Sequence, residues 1–464
     1  MAARRSPSLI LRSAACAAVV ACGAATARSL DETELRHIVA IDSDGAAIPF
    51  AMRCPTGEIP DDDYAYTNHL TLIADSIRAS GRTNILIYLF GGMNAVQDTV
   101  DRSVVLSTTI WQTSDYYPIC VGWQSGLFEA YLDHLLWIRR GKRERIMGPV
   151  LSPFYLMADI GRAITRLPVT IVYHGYATAN DMVLEPMVVD DHEDELNAVR
   201  IRADTGMDKT PRVTQVIRRV VYALGFPLRI VTVPLIDACG KNAWDVMIGR
   251  TEAAFRKSYT LDVPAGDATE VNFAPPDGAL AMLSVELVSL CTNAQRYRVT
   301  LVGHSLGAML ANQLIRRYPD MPCAQIVYMG AATSLNDCGT SLGPYLRRHP
   351  TCTFYNLCLH QHADEAEYMW LMFLPRGSIL EWIDAFLSDP LTLNDLQAGK
   401  WKNAVRTLPT LNPELRGQIV IKAFGVEDPE FNTHDLHKPQ KHTDFSHPSL
   451  RFWEQSFWSL PDEQ

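Results

Sequence analysis

No C-x-x-C pair occurs anywhere in the chain, which removes the commonest zinc knuckles. No G-x-G-x-x-G follows a strand-like run, and "FGGMNA" is not a Walker sequence, so a nucleotide-dependent enzyme is disfavoured. Past residue 27 no stretch approaches the roughly 18 uninterrupted apolar residues of a membrane helix. No self-similarity appears at solenoid periods, and no Gly/Ser- or Pro-rich hinge divides the chain. Positive charge is in deficit, 42 Lys and Arg against 52 Asp and Glu for a net charge of −10. A general nucleic-acid-binding surface is therefore not expected. What the 464 residues do have is apolar content, 47% hydrophobic against 20% charged. That balance suits a packed globular protein, and without a hinge one elaborated domain over residues 28–464 is preferred.

The first 27 residues, "MAARRSPSLILRSAACAAVVACGAATA", stand apart. They carry Arg4, Arg5 and Arg12, no acid, and then a short small-residue apolar stretch. This is the layout of a secretory signal. Ala25-Thr26-Ala27 offers an ordinary cleavage site, while Val19-Val20-Ala21-Cys22 resembles a bacterial lipobox in which Cys22 would carry the lipid. The expectation is export, to the periplasm or beyond, or to the outer membrane through a lipid on Cys22. Removing the leader takes away three positive charges and moves the net charge from −10 to −13.

Eight cysteines follow the leader, and export would permit disulfides. Pairing is not legible in the sequence; Cys323–Cys338 or Cys338–Cys352 are the candidates, and Cys120, Cys352 and Cys358 read as plain buried thiols.

Strand-like runs alternate with helical patterns. "RHIVAIDSDGAAIPFAMRCP" reads as a hairpin about Asp42–Gly45. "NILIYLF" and "YPICVGW" read as strands with a helix between them. Later come "RVTLVGH", "CAQIVYMG", "CTFYNLCLHQ" and "QIVIKAFG". Such alternation predicts a mainly parallel sheet with helical crossovers. Residues of about 127–296 exceed what the alternation needs. They read as a mostly helical insertion covering part of a site, with an acidic loop "VVDDHEDELN" and a last helix returning to the sheet.

The sharpest local pattern is "RVTLVGHSLGAML". A β-branched run ends in Gly303-His304-Ser305-Leu306-Gly307 and a helical pattern follows at once. A strand that stops in G-x-S-x-G suits a strained turn holding the serine hydroxyl above the sheet, over a helix N-terminus. The plain alternative is a Gly-rich turn whose serine merely caps the helix. A serine hydroxyl needs a base, and the base an orienting carboxylate. Both are available later in the chain. Asp364, Glu365 and Glu367 follow "CTFYNLCLHQ", with Asp428 further on; His434, His437, His442 and His447 follow the last strand-like run. His442 is preferred because its loop is long enough to return to Ser305 and an aromatic stretch follows it; His434 is the next choice. His304, inside the turn, reads as structural.

Taken together these residues resemble the α/β-hydrolase superfamily, of bacterial esterase or lipase-like type, over about Asn84–Trp123 and Tyr297–Trp458. The resemblance implies Ser305 as nucleophile, Asp364 as acid and His442 as base, with Glu365, Glu367 and His434 as alternates. It implies an oxyanion hole from the amides of Leu306 and Gly92, with that of Met93 as a third candidate donor. The family's usual His-Gly at the early strand end is replaced by Phe90-Gly91-Gly92, and His174-Gly175 after "VTIVYHG" is a rival. The implied activity is cleavage of a small-molecule or lipid-like acyl ester through an acyl-enzyme, without metal or organic cofactor. Two other classes compete. A non-catalytic binding protein of the same fold is one. A metal-dependent hydrolase using His360, His362 and Asp364 of "HQHADE" is the other, though Glu365 stands where its last histidine should be.

Overall fold

Runs of aliphatic and β-branched residues without polar alternation make strands buried on both faces. The chain has several: β1 (Ile38–Ile41), β2 (Asn84–Leu89) and β3 (Tyr116–Trp123), then β7 (Arg298–His304), β8 (Cys323–Met329), β9 (Thr353–Leu359) and β10 (Ile419–Phe424). Between the two groups lie a two-residue ribbon, β4 (Ile138–Arg139) with β5 (Lys142–Arg143), and β6 (Arg200–Asp204). A computed structural model of the chain describes residues 30–48, 62–139, 142–143, 147–183, 200–204, 220–221, 223–257, 277–294, 296–359, 363–364, 367, 377–411, 413–424, 439 and 441–459. The leader with Cys22, the acidic loop 188–197, Cys54, His360, His362, Glu365, Asp428, His434 and His437 lie outside the described residues.

Seven strands form one sheet in the order β1-β3-β2-β7-β8-β9-β10, every neighbouring pair parallel. β6 extends the β10 edge, also in parallel. The architecture is α/β. Its principal helices are α1 (Asp62–Ser80), α2 (Val96–Thr113), α3 (Leu127–Leu136), α4 (Met147–Val183), α5 (Phe226–Ala253), α6 (Ala279–Asn293), α7 (Gly307–Arg317), α8 (Leu335–Arg348) and α9 (Trp401–Leu411). After β2 the chain goes outward to β3, then returns to place β7 on the other side of β2. That reversal opens a crevice at the carboxyl ends of β2 and β7, the usual place for a site in an open parallel sheet.

Two apolar cores flank the sheet. The larger holds α1, α6, α7 and α8 against one face, with Leu280, Leu283, Leu287 and Leu290 of α6 packed into it. The other is aromatic. Phe445, Phe452, Trp453, Phe457 and Trp458 of the C-terminal segment cover Tyr88 and Phe90 of the β2 end and Phe424 of β10. Tyr88 and Phe452 rings lie 5.0 Å apart, as do Phe424 and Phe457. Lys422 Nζ donates to the carbonyls of Phe457 and Ser459, both at 3.0 Å. The segment is thus held by burial and by two charge-assisted bonds.

Several sequence expectations are corrected. The start of the N-terminal hairpin is present, with Asp42 N–H donating to the Ala46 carbonyl, Ile48 N–H donating to the Ala40 carbonyl and an antiparallel bridge from Ile41 to Ala47, while the rest of its second arm lies outside the described residues. β1 also joins the sheet edge, parallel to β3. The strand-like "VTIVYHG" lies inside the 37-residue α4. Apolar residues at three- and four-residue spacing run through α4, and that helical context overrides local β propensity. His174-Gly175 is therefore no strand end and drops out as an oxyanion loop. Beside its helices the insertion contributes β4, β5 and β6. Cys323, Cys338 and Cys352 are free buried thiols rather than disulfide partners. Cys338 packs beside Asn312, its Sγ 3.9 Å from Nδ2, and burial pushes its pKa well up. The aromatic C-terminal stretch forms 3-10 turns at His442–Ser446 and Pro448–Leu450 and a single α turn at Gln455–Trp458.

Candidate active site

Ser305 sits between the last residue of β7 and the first turn of α7 with a φ of 53°, a left-handed conformation that a serine rarely takes. The flanking glycines explain how the chain gets there. A Cβ at Gly303 would meet the Ala308 Cα at 2.7 Å, and one at Gly307 would meet the Leu89 carbonyl oxygen at 2.1 Å. Helix and neighbouring strand therefore close on the turn from both sides, and only glycine fits either position. Ser305 N–H donates to the Met329 carbonyl (3.0 Å), and its carbonyl accepts from Ala308 and Ala332. The residue is locked, with its side chain against a cavity of about 190 Å³.

That cavity brings together Gly92, His304, Ser305, Leu306, Glu367 and His442. Gly92 comes from the β2–α2 connection and Leu306 from the α7 N-cap. Among the described residues the amides of Gly92 and Leu306 donate to no group. Met93 N–H is committed to the Ser125 carbonyl at 2.9 Å, so it is withdrawn as a third oxyanion donor. Met93 itself takes a φ of 65°, which bends the connection over the site.

His442 opens the 3-10 turn His442–Ser446, and the aromatic core behind it fixes its position. Its N–H donates to Glu367 Oε2 at 2.9 Å, and its carbonyl accepts from His304 Nε2–H at 3.2 Å. The two imidazole centroids are 5.3 Å apart. The Nδ1 edge of His442 lies against Gly330 at the end of β8, where an added Cβ would stand 2.8 Å away. Both ring nitrogens of His442 are buried without a hydrogen-bond partner among the described residues. Ser305 and His442 thus share the cavity without a hydrogen bond between them. Burial, with the second imidazole beside it, holds His442 well below the ordinary histidine pKa. His304 is likewise pushed down to about 4 by burial and by the Arg102 guanidinium, against its bond to the His442 carbonyl. Both rings are neutral at pH 7.

The carboxylates divide. Glu367 lines the cavity, and burial raises its pKa to about 7 although the His442 N–H works the other way. Asp364 is buried beside the cavity but not in its wall. Its carbonyl accepts from Ser378 N–H at 2.8 Å, and one carboxyl oxygen, Oδ1, has no partner. Burial and the neighbouring Glu381 push Asp364 well above the ordinary carboxylate range, against the pull of Lys400. Lys400, itself buried, pairs with Glu381 at 2.7 Å and Asp384 at 3.1 Å. The residue proposed from the sequence as triad acid therefore lies away from the cavity wall, near the Lys400 ion pairs, while its alternate, Glu367, touches the histidine through the main chain. His447 is exposed in its bonding and turns to Ser449 at 2.7 Å. No group of three or more His, Cys, Asp or Glu suited to a metal ion occurs among the described residues.

Sequence reasoning missed several contributors. Trp244 and Met247 of α5 and Ile379, Ile383 and Leu387 beyond β9 make the apolar wall. Arg102 of α2 stands at the polar end, bonded to Asn94 Oδ1 (3.2 Å) and Ser446 Oγ (2.8 Å). The apolar runs were visible as core, but nothing in their spacing says that they face Ser305. No protein-family model, curated protein or solved structure matches the chain.

Proposed function

We propose that the chain is a serine hydrolase of α/β-hydrolase type that cleaves an ester or related acyl bond. The observation that carries this reading is the left-handed Ser305, held by two glycines that admit no side chain, beside two uncommitted amides and a buried neutral imidazole. The order of strands around β7 supports it, since the elbow lies at the sheet's switch point and the β2–α2 loop delivers Gly92.

In the proposed reaction Ser305 Oγ attacks the acyl carbonyl and His442 takes its proton, so that a neutral base is needed at the start. The amides of Gly92 and Leu306 hold the oxyanion, and losing one such donor costs about 2.7–4 kcal/mol in similar sites. His442 then gives the proton to the leaving alcohol, and water attacks the acyl-enzyme by the same route. Glu367 and His304 seat the His442 main chain from both sides. Among the described residues neither Asp364 nor Glu367 bonds to the His442 ring, so the proposed chemistry rests on Ser305, His442 and the two amides and gives the imidazole no carboxylate partner. A cavity of about 190 Å³ is smaller than the roughly 300–1,000 Å³ of drug-sized ligand sites, which favours a short acyl group.

Turnover of p-nitrophenyl esters of graded chain length tests the reading. Short esters are expected to turn over, with activity lost in Ser305→Ala and in His442→Ala; activity that survives Ser305→Ala would sink it. A non-catalytic binder of the same fold has one observation in its favour, the absence of any hydrogen bond to the His442 ring. Binding of a short ester without turnover would select that alternative.

A further inference from the structure

The helical hairpin α4–α5 is amphipathic the wrong way round for a protein surrounded by water. Met147, Val150, Phe154, Met157, Ile164 and Val172 recur at helical spacing along α4 and are each 52–72% exposed. At 100° per residue they fall within an arc of about 100°. Asp159, Arg162 and Arg166 lie on the opposite side and face the protein. Arg162 and Arg166 pair with Asp237 of α5 at 3.3 and 2.6 Å and with Asp389 at 3.0 and 2.8 Å. α5 repeats the arrangement. Leu228, Val231 and Leu235 are 45–63% exposed, while Val233, Asp237 and Trp244 are buried. α4 thus turns its charges toward the protein and its apolar stripe outward, and the first half of α5 shows the same polarity, with the exposed acids Asp245 and Glu252 lying further along that helix.

We infer that this outer face docks on the surface of an anionic lipid bilayer, with both helices lying in the interface. A surface helix in water normally shows the reverse polarity, and exposed apolar stripes of this length mark an interaction site. Charge selects the partner. "RRGKRER", residues 139–145, immediately precedes α4, and Arg218-Arg219 lead toward α5. Between residues 146 and 172 the sole acid is Asp159, which is buried. In a chain of net charge −10, this basic and apolar combination suits anionic headgroups over acyl chains. No helix of the described residues is long and apolar enough to cross a membrane, so the hairpin lies on the bilayer. A second copy of the chain is a poorer occupant, because Gly161 and Pro168 fall in the stripe where a helix seam needs knobs.

The proposal stands independently of the hydrolytic reading. Its test is flotation of the full chain with phosphatidylcholine vesicles, with and without phosphatidylglycerol. The unaltered protein is expected to float with the anionic vesicles, less so as salt rises. The triple variant Phe154→Asp, Met157→Asp, Ile164→Asp is expected to bind at least about tenfold more weakly, with an unchanged thermal melt. Should that variant misfold, Lys142→Gln with Arg143→Gln keeps the apolar face and is expected to lose the preference for anionic vesicles. Val105→Asp, at an exposed apolar position on α2, serves as the control that leaves binding unchanged. No flotation overturns the proposal. So does equal flotation of the triple variant, as binding through the leader alone would give. A dimer that the triple variant dissociates, with no vesicle binding, hands the face to a second copy instead.

Discussion

Ser305 owes its geometry to its neighbours more than to itself. Gly307 approaches the Leu89 carbonyl so closely that an alanine there must push α7 off β2. Gly307→Ala is expected to lower stability by about 1–3 kcal/mol, as overpacking does, and to abolish turnover by tilting the serine. Chemical denaturation and ester hydrolysis read the two effects. Glu367 makes a prediction of its own. Its pKa is raised from 4.5 to about 7 in the fold by burial, so the folded state favours the protonated form. The stability this provides is fully present below pH 4.5 and is lost as pH rises through about 7. Glu367→Gln, which keeps an acceptor for the His442 N–H, is expected to gain on the unaltered protein over that interval, by up to roughly 3 kcal/mol. A stability difference that stays flat from pH 4.5 to 8 would contradict the assignment. For His442 the same logic places the acid limb of the rate profile below the ordinary histidine value of about 6.5. At this scale the strained Ser305 turn and its glycines were legible, because a close approach leaves a mark on the residue type. The roles of His304 and Glu367 were not, because both act on the main chain of His442, and a backbone bond leaves no motif.

Among the elements, the C-terminal segment has the most to do with the site. It has little regular structure, so aromatic packing on β2 and β10 is what holds His442 in place. Phe445 is fully buried three residues after the histidine. Phe445→Ala is expected to cost about 3–5 kcal/mol if the surroundings cannot collapse, and to lower kcat more than it raises KM. A global loss of secondary structure instead would show that the segment is part of the folding core rather than a support for one residue. The strands were readable from their unbroken apolar runs. α4 was harder: its Val169–Val172 stretch has strand-like composition, and only the continuous three- and four-residue spacing from Met147 marks it as helix. The turn at Asp42–Gly45 was legible from its residues, but the pairing of β1 with β3 was not, because a turn says nothing about which edge a strand joins.

Across the whole molecule, a parallel sheet with a switch between β2 and β7 gathers groups from residues 92, 305, 367 and 442 to one end. Alternation of strands and helices made that class of sheet legible. The excess length of the insertion suggested that it covers part of the site, as α5 does, but did not reveal which of its residues face Ser305, or that β6 would extend the far edge. Gly240 of α5 packs against Leu387 closely enough that an added Cβ would lie 2.6 Å from its Cδ2. The insertion and the segment after β9 are therefore joined directly over the site. Leu387→Ala enlarges the apolar end and is expected to shift the preference toward longer acyl chains, read as relative kcat/KM across a p-nitrophenyl ester series. Unchanged chain-length preference would mean that the acyl group sits elsewhere.

The measurement that bears most directly on the proposed chemistry is intact and peptide mass spectrometry after a fluorophosphonate probe. The account predicts a single adduct on Ser305, absent in Ser305→Ala and formed far more slowly in His442→Ala. Labelling of another residue, or no adduct at all on the folded protein, would contradict it.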